Sequence, residues 1–108
     1  MLVLLAWGSR QPEPADGVGQ HSVLRVDDGG LVPVAASNEA YDALLKAAAA
    51  HDTVGEAALV AASVVSAIPS GTQVLVIDRG AHRRQVRVES GNLVGQTVWV
   101  SSDYIARR

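Results

Sequence analysis

Within residues 70–105 stand three β-branched runs, TQVLVID, RQVRVE and QTVWV, parted by Gly-bearing turns and followed by a compact SSDYI. Turn signals recurring about every eight to twelve residues predict short antiparallel strands folded back on one another as a small, strongly bent barrel. Alternation orients two of the runs. Val86 and Val88 face inward with Val98 and Val100, while Arg83, Gln85, Arg87 and Glu89 face the other way. Trp99 falls on that second face too, either under the helices or in a surface groove. The run Gln73–Asp78 is different, because Val74 and Val76 on one face are matched by Leu75 and Ile77 on the other. A strand apolar on both faces needs cover on both. The helices, or the N-terminal segment, are expected to supply it.

Upstream, HSVLRV and LVPVAA flank Asp27-Asp28-Gly29-Gly30, whose glycines supply the positive φ that a tight turn requires. The pair predicts a β-hairpin, with Pro33 at an edge because it cannot donate to a ladder. SNEAYDALLKAAAAHD predicts a helix over 37–51. Ser37 is placed to accept from the free amides of the first turn. Ala40, Tyr41, Leu44, Leu45 and Ala48 make one apolar stripe. Asp52 caps a second helix over 53–62. Its residues are almost wholly apolar or small, which predicts burial.

The chain opens on seven consecutive apolar residues, MLVLLAW. Two readings stand open: the remnant of an export signal, with Ala6-Trp7-Gly8 as its small-x-small site, or a first strand packed on the rest. Seven residues cannot span a bilayer. Export or a periplasmic location follows from the first reading and a cytoplasmic one from the second. RQPEPADGVG then reads as a linker. The organisation expected is a signal-like start and linker over 1–20, hairpin and helices over 21–63 and the barrel over 64–106, with 21–106 as one folding unit.

These motifs together resemble a family of exported bacterial proteins of unassigned activity that end in an SH3-like domain. The features that carry the likeness are GGLVPVA, EAYDALLKA with a following HD, Gly71-Thr72 before the long strand, the hairpin edge Val86–Gly91, and Gly95–Val100 as a turn into a strand. Val100-Ser101-Ser102-Asp103-Tyr104 is also similar to the closing stretch of eukaryotic SH3 domains, with Ser101 where that family has proline. The resemblance implies an α+β fold: an N-terminal β-hairpin and two short helices packed on a C-terminal five-stranded SH3-like β-barrel. It does not bring a polyproline ligand, which needs several aromatic ridges. Only Trp7, Tyr41, Trp99 and Tyr104 are aromatic here.

No cysteine is present, so disulfides, thiolate metal sites and Cys nucleophiles are excluded. His21, His51 and His82 stand about thirty residues apart, whereas a zinc site needs three or four convergent ligands. No nucleophile elbow, S-x-x-K or phosphate loop occurs. The chain is therefore read as non-enzymatic, with neither metal nor cofactor. Charge is uneven: residues 1–68 carry three basic against eight acidic side chains, and residues 69–108 six against three. The basic excess gathers at Arg79, His82, Arg83, Arg84 and Arg87. Candidate ligand contacts are Arg79, His82, Arg83, Arg87, Trp99 and Tyr104. The function expected is a binding or structural module of the bacterial envelope that contacts a peptide, glycan or protein surface. The alternative is a small-barrel binder of nucleic acid or another polyanion through the Arg79–Arg87 hairpin.

Overall fold

The computed structural model describes residues 14–108. The apolar start, and with it the choice between signal remnant and packed strand, lies outside the described residues. In chain order the elements are β1 (His21–Leu24), β2 (Leu31–Ala35), α1 (Asn38–Ala49), α2 (Thr53–Ala61), β3 (Val65–Pro69), β4 (Gln73–Gly80), β5 (Arg83–Val88), β6 (Thr97–Ser101), a 3-10 turn (Ser102–Tyr104) and β7 (Ile105–Arg107).

All strand pairings are antiparallel, in the order β3-β2-β6-β5-β4-β1-β7. This overturns the expected five-stranded SH3-like barrel. The sheet has seven strands and is open, because β3 and β7 are its two edges and do not pair. The chain remains α+β. The predicted N-terminal hairpin fails for a related reason. Its turn forms as read, with Gly29 at φ 69° and the Gly30 N–H donating to Asp28 Oδ1 at 2.9 Å. Its strands then part. β1 inserts between β4 and β7, with Ser22 opposite both Val74 and Arg107, while β2 pairs with β3 from Leu31 to Ala35. β2 meets β6 only at Ala35 opposite Trp99, so Pro33 faces no ladder on that side. Its missing donor costs nothing there.

One face of the sheet carries a core built mostly of valine. Leu24, Val32, Val34, Val74, Val76, Val86, Val88 and Val100 are almost fully buried, with Ile68 and Val98 close behind. The predicted inward positions on β5 and β6 are therefore correct, and on β4 it is Val74 and Val76 that join this core. The opposite face holds a smaller cluster, Ala35, Ala40, Tyr41, Val65 and Trp99, closed by α1. Ser37 caps α1 by accepting from the Ala40 N–H at 3.0 Å. The helix is rolled relative to the predicted stripe: Ala40, Tyr41 and Ala47 are buried, while Leu45 and Ala48 are exposed. Of the two covers expected for β4, the N-terminal segment falls largely outside the described residues, and the helices lie mainly elsewhere. α1 packs on β2, β3 and β6, and Leu75 and Ile77 remain half-buried.

Residues 14–20, read as a linker, are tied to the sheet. The Gly19 N–H donates to the Val76 carbonyl at 2.7 Å, and the Val76 N–H donates to the Gln20 carbonyl at 3.0 Å, so the β1 line runs on along β4.

Candidate functional site

The β4–β5 hairpin was expected to display its cations. Alternation does place Arg83 and Arg87 on one face, but α1 lies over the Arg83 end of it. The Arg83 guanidinium donates to Asp42 Oδ1 at 2.8 Å and to Asn38 Oδ1 at 3.0 Å, and it stacks 4.4 Å from the centre of the Tyr41 ring. Its side chain is only 15 % exposed. Arg84 points to the other face and is also occupied, donating to the Asp16 carboxylate at 3.0 Å and to the carbonyls of Asp16, Gly80 and Arg83. Both arginines are structural ties, one to the helical layer and one to the chain before β1.

That leaves Arg79, His82 and Arg87 exposed. Arg79 stands opposite Arg84 in the ladder and Arg87 opposite Leu75, which puts the two on opposite faces. His82 occupies the turn with φ 58°. The hairpin thus spreads its free cations rather than converging them on one anion.

The two aromatic candidates are separated as well. Trp99 is 8 % exposed and packs beneath α1 with Ala35, Tyr41 and Val65, so it offers no surface to a ligand. Tyr104, at the end of the 3-10 turn, is half-buried against the valine core. It borders a groove of about 340 Å³ with Pro33, Leu44, Leu45 and Glu56.

The helical layer is where the structure departs most from expectation. α2 was predicted to be buried, yet none of its residues is. Val54 is 79 % exposed and Val60 56 %, and Ala57, Ala58 and Ala61 are exposed beside them. Only Leu59 packs, half-buried, against the Trp99 cluster. The reason is position: among the described residues α2 packs chiefly on α1 and β3, and the rest of its surface is left open. A helix apolar all round is normally enclosed. Between α1 and α2 runs a second groove of about 660 Å³, with Ala43, Ala47 and Leu59 among its walls and Glu39, Asp42, Lys46 and Asp52 around it. Sequence reasoning missed this surface. The available signal was the lack of any polar face in TVGEAALVA, which implied cover without saying what supplies it.

A third polar cluster has a structural role. His21 Nδ1 lies 3.0 Å from Glu89 Oε1, and Arg108 donates to the same oxygen as well as to the Ser22 carbonyl at 3.0 Å. The His21 hydrogen bond, and after it the Arg108 guanidinium, holds the Glu89 carboxyl below its ordinary range despite an opposing effect of partial burial. Among the described residues no group of three or more His, Asp or Glu side chains converges to hold a metal ion. Nor, among them, is any helix long and apolar enough to cross a membrane. No family model, curated protein or solved structure matches this chain.

Proposed function

We propose that this chain is a non-enzymatic binding module that docks a peptide or protein surface on its helical layer. The observation that carries the reading is α2, an apolar helix of nine residues with none buried. Leaving aliphatic side chains in water forgoes roughly 25 cal/mol for each Å² that a partner would cover. Exposed apolar patches of this kind mark interaction surfaces more often than isolated surface leucines do. Tyr104 and the half-buried Leu44 extend the patch around α1, in the groove shared with Glu56. A polyanion role is the weaker reading, because Arg83 and Arg84 are engaged internally and Arg79 and Arg87 point to opposite faces.

The test is amide chemical-shift mapping of the full chain against pools of random twelve-residue peptides. Shifts should gather in α1, α2 and around Tyr104. Shifts confined to the β4–β5 hairpin, or none with any pool, would remove the proposal.

A further inference from the structure

The helical layer could be covered by a lipid surface, by a second copy of the chain, or by a segment of another protein. Charge decides among them. Around the α1–α2 groove, Asp42 is paired with Arg83, which leaves the carboxylates of Glu39 and Asp52 against the single ammonium of Lys46. Asp52 caps α2 by accepting from the Gly55 N–H at 2.8 Å. Glu39 makes no ion pair among the described residues and is exposed. Glu56, on the opposite flank of α2, adds a further negative charge at the Tyr104 groove. An apolar helix flanked by this surplus of carboxylates disfavours the anionic headgroups that interfacial helices depend on. A second copy would bring the same surplus, two carboxylates for each Lys46, so a two-fold contact leaves acids without partners. The complementary occupant is cationic.

We infer that the groove between α1 and α2 takes a peptide segment of another protein that carries Lys or Arg beside an aliphatic anchor. The anchor sits on the wall formed by Ala43, Ala47 and Leu59, and the cations reach Glu39 and Asp52. A volume of about 660 Å³ suits this, since ligand clefts generally run from about 300 to 1,000 Å³. The alanines keep the groove open: Ala43 and Ala47 are one helical turn apart, and any longer side chain at Ala43 would grow into the space. This inference rests on the binding-module reading and adds the chemistry of the partner to it.

Two twelve-residue peptide display libraries test it against the full chain, one with Lys and Arg as its only charged residues and the other with Asp and Glu. Recovered peptides are then measured by fluorescence anisotropy on the wild type, Glu39→Lys and Ala43→Gln, with circular dichroism confirming that both variants fold. Binders are expected from the cationic library alone. They should weaken about tenfold on Glu39→Lys, and further as salt rises from about 50 to 300 mM. Ala43→Gln should weaken them through the space it fills, at unchanged salt dependence. Binders from the acidic library, or cationic binders indifferent to both substitutions, overturn the inference. If binders of either charge map to α1 and α2, the module reading survives and the charge assignment fails. If neither library yields a binder, both fail. Dimerisation that Glu39→Lys alters, or binding of the chain to vesicles containing anionic lipid, would identify one of the other occupants and equally overturn the inference.

Discussion

Arg83→Ala tests the join between sheet and helical layer. Were Arg83 the solvated hairpin cation that alternation suggests, its removal would cost under about 0.5 kcal/mol. The structure gives a larger figure. Asp42 is 64 % exposed, so its ion pair is screened and contributes only about 0.5 kcal/mol. The hydrogen bond to Asn38 adds about 1 kcal/mol, and stacking on Tyr41 about 0.5–1 kcal/mol. Against these stands the Arg83 Nε, buried without a hydrogen-bond partner among the described residues. With about 1 kcal/mol set against them for that unpaired donor, the net loss expected is about 1–1.5 kcal/mol, or roughly 5–10 °C in the thermal midpoint of a domain this size. Arg83→Met keeps the aliphatic stem and removes the unpaired Nε, so it should lie between wild type and Arg83→Ala. Arg87→Ala, on the same face but exposed, should stay within about 0.5 kcal/mol. Urea unfolding followed by circular dichroism gives all three, and a cycle with Asp42→Ala isolates the pair. If Arg83→Ala and Arg87→Ala unfold at the same urea midpoint, the tie between β5 and α1 is not there.

The valine core predicts that Val76→Ala and Val98→Ala each cost roughly 2–4 kcal/mol, while Val54→Ala on α2 stays within about 0.5 kcal/mol; thermal scans showing the three alike would contradict the assignment of faces. Glu89 has its folded pKa depressed, so its contribution is complete above the ordinary carboxylate range and fades as pH falls through the folded value. The stability gap between wild type and Glu89→Gln should therefore be open at neutral pH and close in acid, and a gap constant between about pH 7 and pH 3 would refute that role.

Much of the architecture could be read from residues that act locally. Ser37 announced the start of α1, and the alternation in RQVRVE and TVWV placed Val86, Val88, Val98 and Val100 on the buried face. What alternation does not carry is the identity of a neighbour. Val23 and Leu24 look the same whether β1 pairs with β2 across the Asp27–Gly30 turn or with β4 and β7, and the long-range pairing won. The same gap explains Arg83. Its face was assigned correctly, but periodicity is silent about the helix laid over that face. α2 failed in the opposite sense, because apolar composition states a need for cover and cannot show that the described residues leave the need unmet. Of the candidate site, Tyr104 remains on an accessible groove, Trp99 belongs to the interior, and the grooves along α1 and α2 became visible only once the helices were placed.

The position of β1 has a consequence for how the molecule assembles. It lies between β4 and β7, and its Ser22 carbonyl accepts from Arg108, 86 residues away. During synthesis β1 leaves the ribosome early and both its neighbours much later. Until then its buried residues, Ser22, Val23 and Leu24, lack the strands they pack against. α1 and its cap need only adjacent residues and can form at once. Closing loops this long is the slow part of folding. The sheet is therefore completed last, when β7 reaches β1, and a chain stopped short of β7 would leave β1 with one edge unpaired and open to another strand.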